Sequence, residues 1–247
     1  MTEKEWRLFN EVLLEIYYSE NLQQFGKKCL NLIKIFIPYT QGYFVVVNEN
    51  GEVDTGYSVF ENVSQQKSQE YIDVYFKDDY LMDMCYFSKS MAYRDTDLLS
   101  DEKRIGSKMY QNYLKPQKLD LGCGLIIMQD GRTKVFLNLL RTSGEEDVSN
   151  HEMEILHTFL PHFEKNVLAY LEHNMLFKKY QESAMEAQLS GREQEIAQLV
   201  MAGCSNHEIG DRLGISTATV KKHLSNIFTK KGINRRTQLF QQVKKQE

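Results

Sequence analysis

Lys221, Lys222 and Ser225 stand in the run TVKKHLSNIF (219–228), where Val220 and Leu224 are apolar and four apart. In a helix, positions i and i+4 share a face. Val220 and Leu224 therefore turn inward, and the two lysines and the serine turn outward on adjacent turns. Two ammonium groups and a hydroxyl on one outward face can donate hydrogen bonds to guanine edges or to phosphate oxygens. Thr217 and Thr219 lie where this helix starts, and there hydroxyls and free backbone N–H groups meet phosphates. Alone, such lysines would read as a solvated face, so the surrounding elements must decide their role.

Those elements are marked densely from Leu189 onward. Ser190 with Glu193, and Ser205 with Glu208, have the spacing of capping boxes, and Ser216 is placed to cap a third helix running toward Lys231. Gly203, Gly214 and Gly232 stand where helices should end, and a short fourth helix is expected after Asn234. Ile196, Leu199, Val200, Ile209, Leu213, Ile215, Val220, Leu224 and Ile227 supply a small core. Only LGIS (213–216) separates the second and third helices. That interval is the spacing of a helix-turn-helix, whose second helix enters the DNA major groove.

The segment resembles the LuxR/GerE family of DNA-binding domains. The matching residues are LSGRE at 189–193, G-x-S-N-x-E-I at 203–209, RLGIS at 212–216, TVKKH at 219–223 and K-x-G-I-x-R-R at 230–236. The resemblance implies that Lys221, Lys222 and Ser225 point at the groove. Two positions depart from the family pattern: Gly210 stands for a usual alanine, and Lys231 for a usual apolar residue. Gly210 is expected to weaken the second helix.

Charge divides the same way. The 247-residue chain has a net charge of −4, yet residues 189–247 hold ten Lys/Arg against five acids. A basic module on an acidic remainder confines nucleic-acid binding to one end.

Upstream, the patterning is that of an α+β domain. Residues 3–18 and 22–36 read as amphipathic helices, the second ended by Pro38. GYFVVVN (42–48) and VDTGYSVF (53–60) read as a hairpin, residues 64–76 and 107–114 as helices, and 80–104 as mixed. LGCGLIIMQ (121–129), DGR and TKVFLNLLR (133–141) make a stronger hairpin, and Ser149 with Glu152 opens a long helix that Pro161 should kink. On that helix Met153, Leu156, Leu160, Phe163, Val167 and Leu171 share a face. The face either packs on the domain's own sheet or, continued by residues 164–187, meets a second copy.

Residues 91–171 resemble the GAF-like sensor domains of certain LuxR-type regulators. The cues are YRDTDLL (93–99), YQNYLKP (110–116), LGCGLII (121–127), LLRT (139–142) and SNHEMEILHTFLPHF (149–163). The resemblance implies a GAF/PAS-like antiparallel sheet with flanking helices. The spacing Tyr71-x3-Tyr75-x3-Asp79 also resembles that of acyl-homoserine-lactone receptors, in which the aspartate receives a ligand amide. Tyr80 stands where those receptors carry proline, and the chain's one Trp is Trp6, so the lactone is not carried over. Tyr71, Tyr75, Tyr80, Tyr86, Asp79, Asp95 and Asp97 read either as aromatic walls and polar anchors of a small-molecule pocket or as half-buried core and caps.

Enzyme chemistry finds no support. HEMEI (151–155) has Ile155 at the second His position of a zinc-protease helix, and GCGLII (122–127) has Ile127 at the third Gly position of a dinucleotide loop. Cys29, Cys85, Cys123 and Cys204 are widely spaced with no C-x-x-C pair, as reduced structural thiols would be. No metal or cofactor is expected. The longest apolar runs, about five residues, fall far short of the roughly 20 a membrane helix needs, and the first residues lack a signal-peptide block.

The expectation is a cytoplasmic transcription regulator: a sensor domain at 1–175, a helical linker at 176–188 and an all-α four-helix helix-turn-helix domain at 189–247. Double-stranded DNA, a small-molecule effector, a second copy of the chain and RNA polymerase are its expected partners. Two rivals remain at this point. A sigma-factor-like promoter subunit would need a helical polymerase-binding region where hairpins are read. A GAF-type small-molecule enzyme would need a reactive cysteine pair.

Overall fold

In a computed structural model, which describes residues 1–83, 89–186 and 189–239, the chain forms two compact units, Met1–Tyr170 and Leu171–Glu247. Cys85 and Tyr86 lie outside the described residues, as do residues 240–247.

The first unit opens with α1 (Glu3–Tyr17), started by a Thr2–Glu5 capping box, and α2 (Leu22–Ile33), capped by Asn21. Its five strands are β1 (Gln41–Val46), β2 (Val59–Glu61), β3 (Met91–Arg94), β4 (Leu119–Gln129) and β5 (Arg132–Thr142). They form one antiparallel sheet in the order β2-β1-β5-β4-β3. Asp130 and Gly131 turn β4 into β5 with φ of 52° and 70°, the paired positive values that a tight hairpin turn demands.

The expected strand at 53–60 is mostly absent. Asp54 accepts the Gly56 amide on its carboxylate at 3.0 Å and the Ser58 amide on its carbonyl at 3.0 Å, and this turn leaves only the end of the segment free to pair. Strand β3, inside the stretch read as mixed, pairs Met91–Arg94 with Ile126–Cys123.

Both faces of the sheet are covered. On one, Phe25 of α2 meets Phe44 of β1 at 6.4 Å and Phe163 at 5.3 Å. Phe163 belongs to α7 (Asn150–Glu186), which runs through Pro161 as one helix and is opened by Ser149 and Glu152 as expected. On the other face lie α3 (Gln65–Glu70), a π-helical turn at Tyr71–Tyr75, a 3-10 turn at Phe76–Asp78, α4 (Tyr80–Asp83), α5 (Asp95–Leu98), α6 (Asp101–Gly106) and a second π-helical turn at Tyr110–Leu114. Here Tyr71 meets Tyr43 at 5.4 Å, and Phe76 meets Phe136 at 6.5 Å.

This packing accounts for one part of the long helix's apolar face. Leu156, Phe163 and Val167 are fully buried within the chain itself. That part of the stripe covers the chain's own sheet and is unavailable to a second copy.

The second unit contains α8 (Gly191–Met201), α9 (Asn206–Leu213) and α10 (Thr217–Lys231), and a further helical turn at 236–239 begins the expected fourth helix. Both expected capping boxes form, and Ser216 accepts the Thr219 amide at 3.1 Å. Gly214 and Gly232 end α9 and α10 in the left-handed conformation, φ 63° and 64°. Ile196, Ala197, Val200, Ile209, Val220 and Ile227 are buried at the centre.

Gly210 has a steric reason. A Cβ there would stand 2.7 Å from the Ile215 carbonyl oxygen, backbone that carries the turn between α9 and α10. Helix propensity alone favours Gly210→Ala by about 1 kcal/mol. The clash reverses that sign, so the variant should exchange its α9 amides faster than wild type, as read by hydrogen-exchange mass spectrometry. Equal or slower exchange would contradict the packing.

Candidate nucleic-acid interface and candidate ligand cluster

The helix-turn-helix geometry sorts the basic residues of the second unit into two groups. One group holds the module together. Lys230 donates to the buried Glu193 carboxylate at 2.7 Å, and that carboxylate also caps the Ser190 amide at 2.8 Å. Lys230 is the first cause of the lowered Glu193 pKa. Arg192 donates to the Leu213 carbonyl at 2.7 Å, while Arg236 donates to Asn206 Oδ1 at 3.1 Å and to the Cys204 carbonyl. The other group is presented to solvent. Lys221, Lys222, Ser225 and Thr217 are exposed along α10, and Thr219 is half-buried with its hydroxyl 2.8 Å from that of Ser216. A groove of about 320 Å³ beside Lys221 and Ser225 is lined also by Asn206, Leu224, Phe228 and Arg236. One outward helix face thus carries cationic and hydroxyl donors, the arrangement a major groove can accept.

Glu193→Ala removes half a capping box and leaves Lys230 without its acceptor. It should destabilise the second unit by about 1–2 kcal/mol while leaving Lys221 and Lys222 in place. Chemical denaturation followed by α-helical circular dichroism checks this, and an unchanged midpoint would contradict it.

In the first unit, the sheet face toward α3–α6 carries polar groups where a core should be apolar. Register pairs Tyr43 with Asn138, Asn138 with Gly124, and Gly124 with Tyr93, a row across four strands. A Cβ on Gly124 would lie 1.7 Å from the Leu137 carbonyl oxygen, so only glycine fits. A Cβ on Gly122 would lie 2.9 Å from Asp95 Oδ2 and 3.0 Å from Asn138 Oδ1. Glycine inside a strand marks such close approach.

Asp79 is buried, with the Tyr71 hydroxyl donating to Oδ2 at 2.7 Å and the Leu81 amide to Oδ1 at 3.0 Å. Asp95 is fully buried. The Tyr80 hydroxyl and the Gly122 amide lean toward its carboxylate, yet neither oxygen completes a hydrogen bond of ordinary geometry among the described residues. The Tyr93 hydroxyl and Asn138 Oδ1 are likewise buried without a partner among them.

Burial pushes the Asp95 pKa up from 3.8 to about 6; nearby Asp79 adds to the rise, while Tyr80, Gly122 and Arg104 oppose it. The consequence for stability has a definite sign. A folded pKa above the unfolded one means the folded state binds the proton more tightly. Its contribution is complete below about pH 4 and is lost as pH rises through about 6. Asp95→Asn should therefore raise the melting temperature of the ligand-free chain at pH 8, and raise it less at pH 4.5. A variant no more stable at pH 8 would contradict this.

The sequence-named residues do not all meet. Tyr71, Asp79, Tyr80 and Asp95 belong to this buried region. Tyr75 stands half-buried at its edge with its ring 5.0 Å from that of Tyr113. Asp97 does not join them: its carboxylate is exposed and binds Arg94 at 2.9 Å and 3.1 Å. Two residues along α5, about half a helical turn, separate it from Asp95 and send it to solvent. Sequence reading missed Tyr93, Asn138, Gly122 and Gly124. Gly-x-Gly inside a strand is the available signal, since glycine there marks close approach of neighbouring groups.

Cys29 and Cys123 are buried, and burial raises both thiol pKa values, the reverse of what a reactive cysteine requires.

Residues 187–243 match the family described as bacterial regulatory proteins, luxR family. The chain is 27% identical over 215 residues to the monoamine regulon transcriptional regulator of Klebsiella aerogenes, spanning 86% of this chain and 87% of that protein. It is 30% identical over 163 residues to the response regulator protein VraR of Staphylococcus aureus strain Mu3, spanning 64% of this chain and 69% of that one. Among solved structures, Escherichia coli SdiA aligns over 95% of this chain and 94% of its own with 18% identity and a TM-score of 0.46.

Proposed function

Because the chain belongs to the luxR family of bacterial regulatory proteins, we propose that its action as a DNA-binding transcription regulator is controlled by a small molecule bound in the first unit. The observation that carries this reading is the buried group of unpartnered polar atoms, Asp95, Asn138 Oδ1 and the Tyr93 hydroxyl, among the described residues. Buried polar groups without partners are costly, and a ligand that satisfies them supplies the differential binding a switch needs. Tyr71, Tyr75, Asp79 and Tyr80 form the wall and anchors beside them.

The same reading places a sensor at 1–175, a helical linker at 176–188 and the DNA-binding module at 189–247. Lys221, Lys222 and Ser225 address the groove, and Thr217 and Thr219 address the phosphates. The regulator works as a homodimer in the cytoplasm, without catalysis, and RNA polymerase is a further partner. Two modules set about one DNA turn apart, roughly 34 Å, give a specificity that one small module lacks. With Leu156, Phe163 and Val167 of α7 buried within the chain itself, the dimer contact is assigned to other surfaces, the remainder of α7 among them.

Native mass spectrometry of the freshly purified full chain, with and without Asp95→Asn, tests this. The expected result is a dimer retaining a small molecule that the variant loses. A ligand-free chain whose operator affinity no metabolite extract alters would overturn the reading.

A further inference from the structure

Among the described residues of the first unit, the buried polar atoms without a partner are three acceptors around Gly122, the Tyr93 hydroxyl, and one donor, Arg104 Nε. Asp95 Oδ1, Asp95 Oδ2 and Asn138 Oδ1 are acceptors, and no described residue completes a hydrogen bond to any of them. Asp95 Oδ2 and Asn138 Oδ1 both lie within 3.0 Å of the point where a Gly122 side chain would begin, so they converge on one spot. The Tyr93 hydroxyl closes over the neighbouring glycine, 3.0 Å from where a Gly124 Cβ would begin.

A second acid, Asp79, stands close enough to Asp95 to raise its pKa. Tyr71, Tyr80 and Tyr93 are all buried in this cluster, and Phe76 and Met109 belong to the same core. Two acids and three tyrosines make the spot electronegative and aromatic, and Arg104 spends its two terminal nitrogens on Asp120 and Asp101, its Nε alone being unpartnered. Its guanidinium favours the Asp95 carboxylate only from a distance.

We propose, resting on the reading of this cluster as the signal site, that the signal is an organic cation, a primary amine with an apolar body, whose ammonium group is received by Asp95 and Asn138. An ammonium carries three N–H donors and no acceptor. Three unpartnered acceptors, two of them converging beside Gly122, match that count. A carboxylic acid, a phosphate or any other anion would add acceptors beside two carboxylates. An amide offers at most two donors and leaves the Asp95 charge buried without a counter-ion. Tyrosine faces attract a cation as well as an apolar body. A bare metal ion fits less well, since no group of three His, Cys, Asp or Glu side chains placed to hold a metal occurs among the described residues.

Charge is the discriminating feature, so the test varies charge at constant shape. Isothermal titration of the full-length chain would compare 2-phenylethylamine with 2-phenylethanol, for wild type and for Asp95→Asn and Asn138→Leu. The amine is expected to bind wild type about ten- to a hundredfold more tightly than the alcohol. Asp95→Asn should abolish that preference without unfolding the chain, and Asn138→Leu should reduce it. Thermal melts of both variants establish that they are folded.

Equal binding of amine and alcohol, or a preference that survives Asp95→Asn, overturns the amine assignment and leaves the small-molecule reading standing. If neither compound binds, a panel of alkyl and aryl amines is set against their uncharged isosteres. Binding confined to uncharged members again overturns the amine alone. If no compound of either kind binds and the purified chain retains none, both readings fall together.

Discussion

The full-length chain carrying Lys221→Ala and Lys222→Ala together should lose about thirtyfold or more in operator affinity at physiological salt. Both lysines are exposed on α10, about one and a half turns past the Ser216 cap that fixes where the helix begins. A side chain that reads a base contributes about 1–3 kcal/mol of discrimination, and one that meets a phosphate contributes counterion release. The two roles separate by salt. If both lysines bind phosphate, the slope of log affinity against log salt falls by about two. If both read bases, specificity relaxes while the slope changes less. Fluorescence anisotropy with operator and random duplexes across a salt series measures both. The fold of the second unit should survive, because its core residues Val220, Leu224 and Ile227 are untouched. Unchanged affinity in the double variant would remove α10 as the reading helix.

Val167→Glu should unfold the first unit rather than split a dimer. Val167 is fully buried, on the same helix as Phe163, whose ring lies 5.3 Å from Phe25 and 5.9 Å from Phe44. A carboxylate there loses the packing of the valine and arrives without a partner. The expected cost is about 4 kcal/mol or more, in the range where a single change empties the folded state of a marginal domain. Leu171→Glu, at a half-buried position, should cost far less. Circular dichroism melts and sedimentation together check this pair. A Val167→Glu chain that stays folded and merely becomes monomeric would place Val167 in a subunit contact and contradict the packing.

How much of this was legible in the sequence varied with how local the signal was. The helix-turn-helix was readable almost residue by residue, because capping boxes, left-handed glycines and an i, i+4 apolar pair are encoded within a few positions. The β4–β5 hairpin was readable for the same reason: Asp130–Gly131 sits between two largely apolar runs. The failures were non-local or arose where a side chain overrode propensity. Strand β3 was missed because its four residues gain strand identity only by pairing with β4. The apolar stripe of α7 showed that a face was buried, but the partner covering it, Phe25 and Phe44 from far upstream, could not be read from periodicity.

The ligand cluster shows the same limit. Tyr71, Asp79 and Asp95 could be named as chemistry-bearing types. Asn138, however, lies in a strand that reads as uniformly core. Its role appears only when register sets it between Tyr43 and Gly124. Asp97 was grouped with Asp95 on proximity in sequence, and the helical turn that carries both sends them to opposite environments.

The central claim is that this chain reads DNA sequence through α10 as a paired module. Selection of random duplex DNA by the full-length protein, followed by sequencing, tests it most directly. The account predicts enrichment of a two-fold-symmetric site with half-sites about one helical turn apart, and loss of that enrichment in the Lys221→Ala, Lys222→Ala variant. Recovery of no sequence above background, or of the same site by the double variant, would contradict it.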